Sequence, residues 1–300
     1  MRFFRKKETV VENMAFMAMF AGIDALLSLV ATLLPVSAIF LMVVVPLTAT
    51  IVALLCRARY FPIFFFATLG TCIAVSAWNF QNTLFYILPG LVVGGVYGFL
   101  LKKKAYPSVL IFLSGIVEFG FFYLSMALIQ WIYGVDMRFF LLGLIGKGDS
   151  PNAPTIFPLF AFGYSLVQIG LTHIFIVAEL SRFDLEISDE KKAPLLSPLA
   201  TFISIGGVFA AIFVLPELGY LFLGFALYWA ICSVVSLFPR PHWASYVCLG
   251  ALGFLSLLLF ALLYKAMPFG TGLSLLSLFA AAMALSAIFN WLLSRKGRRN

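Results

Sequence analysis

The chain has 300 residues, of which 63% are apolar and only 11% charged, and its mean hydropathy is +1.08. A water-soluble chain carries about 25% charge, so too little polar surface is available to coat even one globule. The net charge of +8 would suggest nucleic acid in a soluble protein. Here its meaning depends on where the charges fall along a membrane chain. Secretion, cytosolic enzymology and nucleic-acid binding are disfavoured, and the lipid bilayer is the first partner to expect.

The basic N-terminus, Met1 to Lys7, precedes an apolar run that extends to Leu34. That run is long enough to cross a bilayer and no small-x-small site follows it, so it is expected to be a retained first span rather than a signal peptide. Ten apolar stretches of about 20 residues follow one another: 13–34, 37–56, 60–78, 83–101, 107–133, 155–180, 196–215, 218–238, 243–264 and 270–294. None alternates in polarity as a barrel strand would, and backbone in hydrocarbon must satisfy its own hydrogen bonds. The expected fold is all-α, a polytopic transmembrane bundle of about ten spans. Seventeen of the twenty lysines and arginines fall in loops on one side; Arg138, Lys147 and Lys265 fall on the other. This bias places both termini in the cytoplasm and the protein in the cytoplasmic (inner) membrane. The four cysteines, Cys56, Cys72, Cys232 and Cys248, stand singly in apolar runs and read as small buried hydrophobes.

Two loops are longer than the rest. The outer one, Gly134 to Pro154, holds several Gly and Pro residues behind an apolar stretch, Met137 to Ile145, and reads as a surface loop or a lid. The inner one, Ser181 to Pro194, is the dense charge run of the chain interior and sets the expected boundary: six spans in 1–185 and four in 195–300. No internal repeat supports a division into inverted halves.

The candidate functional residues are polar groups within spans, where an ionisable side chain costs about 2.5–3.5 kcal/mol. Asp24 and Glu118 each lie 11 residues into a span that starts on the cytoplasmic side, about 16 Å deep at 1.5 Å per residue. Every Lys and Arg is accounted for in a loop or at a span end. Each acid is therefore neutral, hydrated, or matched by a cation or basic ligand; the plainer alternative is a neutral carboxyl bonded to a neighbouring helix. Ala21, Asp24, Ser28 and Ala31 share one stripe, as do Ser114, Glu118 and Ser125. In the sixth span Gln168 lies among Ser165, Thr172 and Glu179. His173 lies on another face and reads as a packing histidine before a proton relay. Trp78 and Asn79, with Gln81 and Asn82, form a polar patch at an outer turn, where an interfacial Trp is the plain reading and a cavity mouth the functional one. Gly90, Gly94 and Gly98 recur every four residues and predict close helix packing. Pro46, Pro89 and Pro158 are expected to kink their helices.

The first six spans resemble the S component of energy-coupling-factor (ECF) vitamin transporters. The features that carry the resemblance are an alanine-rich first helix from Met14 to Ala25, a second helix containing Pro46 and a glycine-rich fourth helix. In whole-chain size the sequence is similar to YybS-like bacterial membrane proteins. The resemblance implies a small-molecule-binding unit that docks on a transmembrane coupling subunit powered by ATPases. The docking residues it implies are the pair Ala21 and Ala25, overlapped by Ala18 and Gly22. Small-x-x-x-small spacing also serves ordinary helix packing. No vitamin-specific motif accompanies it, so no substrate is implied.

Enzyme readings find little support. The chain has no G-x-S-G, no second intramembrane aspartate, no H-E-x-x-H and no P-loop around Lys147, and no cofactor or metal site is expected. The sequence thus favours a transport component that binds an unknown small molecule and is energised by a partner. The alternatives are a proton- or ion-coupled carrier acting alone and a membrane scaffold.

Overall fold

The computed structural model describes residues 5–34, 37–79, 81, 83–143, 153–179, 193–211, 214–237, 247–248, 250–252, 254–255 and 271–296, with the backbone alone at a few of these, Asn79 and Glu179 among them. The expected span 243–264 lies largely outside the described residues. The charge run 181–192 and residues 144–152 of the outer loop lie wholly outside them.

Every regular element among the described residues is helical: α1 (Val10–Leu33), α2 (Ala38–Leu55), α3 (Phe61–Val75), α4 (Leu88–Lys102, entered through a π turn, Thr83–Ile87), α5 (Pro107–Tyr133), α6 (Met137–Gly143), α7 (Ala153–Glu179), α8 (Leu196–Ala211), α9 (Pro216–Leu237) and α10 (Thr271–Lys296). Among the described residues, seven stretches are long and apolar enough to cross a membrane, and Phe40–Leu55 and Leu196–Ala211 are shorter apolar helices. The chain is a multi-pass helical membrane protein. Its helices divide into two compact units, Met1–Asp149 with Ala161–Ser188, and Ser150–Phe160 with Asp189–Asn300, so that the division falls inside α7.

In the first unit, α1 starts three residues earlier than the hydropathy suggests because Thr9 and Glu12 form a reciprocal capping box. Gly134, at φ 69°, ends α5 in the left-handed conformation open to glycine. Lipid tails are as apolar as leucine, so helix association here depends on close approach rather than on hydrophobic burial. The glycines of α4 supply that approach. A Cβ on Gly90 would meet Pro46 and Val45, one on Gly94 would meet Pro46 and Ala49, and one on Gly98 would meet Ala53 and Thr50. Rising numbers on α4 match rising numbers on α2, so the two helices run parallel. Thr50 donates to the carbonyl of Gly94 across this seam. Around it lies a core that includes Phe16, Leu41, Phe64, Tyr97 and Ile169.

Three bonds tie helix ends together at one end of this unit: Lys7 N to Leu55 O, Arg57 N to Asn13 Oδ1, and Lys102 Nζ to Cys56 O. The start of α1 therefore meets the ends of α2 and α4, and the lysines and arginines of the first three basic segments gather there. α3 and α5 begin at this same end and finish at the other, where Trp78 and Trp131 are exposed. The loop Gly134–Pro154, read from sequence as a surface loop or a lid, contains α6. Asp136 starts it by accepting from the backbone N–H of Arg138 while its carboxylate pairs with the Arg138 guanidinium.

In the second unit α8, α9 and α10 pack on one another. Ala226 and Ala230 of α9 lie fully buried with Ala280 of α10, an alanine seam that brings the backbones close. Gly207 leaves room for the Phe222 ring. Asn290 Nδ2 donates to Leu237 O at 2.6 Å, capping a carbonyl at the end of α9.

Candidate functional site

A hydroxyl inside a membrane helix usually satisfies itself by donating to the carbonyl one turn back. Thr32, Thr71, Ser165, Thr172, Thr201, Ser204 and Ser233 all do so. Against that background, among the described residues, stand four buried polar atoms without a hydrogen-bond partner, Thr68 Oγ1, Ser114 Oγ, Glu118 Oε2 and Ser125 Oγ, together with Ser28 Oγ, which has only the Cys72 thiol beside it. They lie on the α1/α3 side of Asp24 and on the Glu118 stripe of α5.

Asp24 is completely buried. α1 holds it towards α2, where Thr48 Oγ1 stands 3.0 and 2.9 Å from its two oxygens and 2.8 Å from Val45 O. Thr48 has one hydroxyl proton for three acceptors. A protonated Asp24 completes the set: the carboxyl donates to Thr48, which donates to Val45 O. An ionised Asp24 can only accept, so the Thr48 hydroxyl must donate to it and leave Val45 O. This contact adjoins Pro46, whose ring removes a backbone donor from the middle of α2. On the third side, Cys72 of α3 lies beside Ser28 and within electrostatic reach of Asp24. One turn before Cys72 on the same face of α3 is Thr68, also fully buried. Asp24, Ser28, Thr48, Thr68 and Cys72 thus form a polar cluster from three helices. Thr48, Thr68 and Cys72 carry no spacing signal in the sequence that would mark them as members.

Glu118 is 1% exposed. Ser114 precedes it by one turn and Ser125 follows by two, both buried on the same stripe. Its surroundings are aromatic: Tyr164 lies within its electrostatic reach, and Phe122 packs on Tyr164 and on Phe85 with ring centroids 5.0 Å apart in each case. Among the described residues no Lys or Arg forms an ion pair with Asp24 or Glu118. No hydrogen bond joins the two acids, and their immediate neighbours differ.

The other expected residues are placed as follows. Gln168 is buried, 2% exposed, between Ser165 and Thr172 on α7. His173 Nδ1 is hydrogen-bonded at 2.7 Å to the hydroxyl of Tyr97, a fully buried tyrosine that needs such a partner. Trp78 is 84% exposed, and Asn79 ends a short 3-10 turn after α3 with only its backbone described. On α1, Ala21 is in the core and Ala25 packs against it, whereas Ala18 and Gly22 are exposed and nothing approaches the Cα of Gly22. The outward small-residue surface is therefore Ala18 with Gly22. The described residues contain no group of His, Cys, Asp and Glu suited to a metal.

Helix length, apolarity and these buried acids define the class, a polytopic helical membrane protein with ionisable groups inside its spans. No protein-family model, curated protein or solved structure matches the chain significantly.

Proposed function

We propose that the protein is a transport component of the cytoplasmic membrane, with both termini inside, whose first six spans bind a small molecule and in which Asp24 carries the proton or cationic group exchanged during the cycle. The observation that carries this reading is the Asp24–Thr48–Val45 chain. A carboxyl placed there is costly, and its single hydroxyl partner is satisfied differently in its two protonation states. Glu118, with an unpartnered oxygen among aromatic rings, supplies a second polar anchor for a ligand. The exposed Ala18 and Gly22 offer α1 as a docking surface for an energising subunit, in keeping with the ECF S-component resemblance. A self-contained proton-coupled carrier is the second reading, and the same switchable contact beside Pro46 favours it.

The experiment is ligand screening by thermal stabilisation of the purified full-length protein, followed by uptake of each hit into proteoliposomes with and without an imposed pH gradient. Hits whose stabilisation is lost in Asp24→Asn support the proposal, and gradient-driven uptake without a partner selects the carrier reading. Uptake that persists unchanged in both Asp24→Asn and Glu118→Gln would falsify the role given to the acids.

A further inference from the structure

At the end of the first unit where α1 begins, a half-open cavity of about 710 Å³ lies between three segments of chain. Lys6 and Lys7 line it from the N-terminal segment, Arg57 from the α2–α3 connection, and Lys102 and Lys104 from the end of α4, with Glu8 the one acid in the lining. Cations brought together repel one another unless an anion lies between them. Among the described residues no carboxylate lies within ion-pair distance of Lys6, Arg57 or Lys102.

The cavity is built from the backbone outward. Asn13 is completely buried, and its side chain joins two of the three segments: Nδ2 donates to Lys7 O and Thr9 O at 3.3 and 2.6 Å, and Oδ1 accepts from Arg57 N at 2.9 Å. Lys102 Nζ donates to Cys56 O at 3.2 Å, which fixes the ammonium and leaves it two further hydrogens. Lys104 is held at φ 55°, the one positive-φ non-glycine residue described. Such a backbone persists in a side-chain-bearing residue only where its surroundings enforce it. Leu54, Leu55 and Leu101 complete the lining with apolar surface.

We propose that this cavity binds a phosphate-bearing anion. Guanidinium and ammonium donors converging from three segments suit the several oxygens of a phosphate. The chemistry is shared by the headgroup of an anionic phospholipid and by a free phosphate, and it is independent of the transport reading. Clusters of Lys and Arg at the ends of membrane helices attract anionic headgroups, and the leucine lining suits the glycerol and first methylenes of a lipid.

The test uses the full-length protein purified in a neutral detergent. One arm measures by native mass spectrometry the retention of phosphatidylglycerol against phosphatidylcholine; the other measures thermal stabilisation by inorganic phosphate against chloride at equal ionic strength. Wild type is expected to prefer phosphatidylglycerol or to be stabilised by phosphate. The double variant Arg57→Gln/Lys102→Gln should weaken that preference about twentyfold, and Lys6→Gln, at an exposed position, about fivefold. Selective lipid retention assigns the headgroup, and stabilisation by phosphate without lipid preference assigns the soluble anion. Absence of both in wild type overturns the proposal, as does a preference that Lys6→Gln and the double variant both leave intact.

Discussion

Gly94 lies so close to Pro46 that a methyl group on its Cα would collide with the Pro46 carbonyl oxygen and stand 2.6 Å from the Ala49 Cβ. The obstacle is largely backbone, which cannot rotate away. Gly94→Ala should therefore cost at least the ~1–3 kcal/mol typical of overpacking, read as a lower midpoint of unfolding in detergent. Gly22→Ala, where nothing lies within 4 Å, should leave that midpoint unchanged or slightly higher. Equal effects at the two sites would remove the α2–α4 seam from the account of stability.

The Asp24–Thr48 contact predicts an order among four variants. Asp24→Asn keeps a donor facing Thr48, so stability should fall by less than ~0.5 kcal/mol. Thr48→Val leaves a buried carboxyl without its hydroxyl partner, a loss of about 1–3 kcal/mol. Asp24→Leu strands the hydroxyl less severely because Thr48 can still donate to Val45 O. Combining Asp24→Leu with Thr48→Val should recover much of the Thr48→Val loss. Additive losses in this cycle would mean that the two residues do not interact.

Asp24 and Glu118 are visible in the sequence because each is a lone acid in an apolar run, and the glycines of α4 because one helical turn separates them. Thr48 is invisible: it lies 24 residues from Asp24 in an ordinary apolar span, and no spacing rule links two antiparallel helices. The choice between Ala21/Ala25 and Ala18/Gly22 as the outward pair was equally hidden. A soluble helix reveals its inner face by polarity, but α1 meets lipid on one side and apolar neighbours on the other. The short helix α6 escaped for a different reason: glycine and proline downstream made its apolar residues look like part of a long loop, while its start depends on the Asp136 side chain.

That side chain gives a pH prediction outside the spans. Hydrogen bonds from the Arg138 guanidinium and backbone hold the Asp136 carboxyl below its ordinary value. A lowered folded value stabilises the folded turn above the unfolded pKa, and that contribution fades as pH falls through the folded value. Amide exchange across Gly134–Gly143 should thus keep its protection from neutral pH down to about pH 4 and lose it below. Asp136→Asn should show weaker protection throughout with a flat profile over that range. A wild-type profile as flat as the variant's would separate α6 from this ion pair.

Lys104 separates stability from ligand binding at one position. Its left-handed backbone costs a side-chain-bearing residue roughly 1–2 kcal/mol, while glycine gives back about 0.5–1 kcal/mol through the freedom it adds to the unfolded chain. Lys104→Gly should therefore raise stability slightly, by about 0.5 kcal/mol, and Lys104→Ala should not, because alanine meets the same steric penalty as lysine. Both substitutions remove a cation from the cavity and should weaken phosphate or phosphatidylglycerol binding to a similar degree, about fivefold. Together these outcomes would separate the backbone cost at this position from the contribution of the lysine charge to binding. If Lys104→Gly neither gains stability over Lys104→Ala nor loses anion binding, neither the strained turn nor the charge has the role given to it.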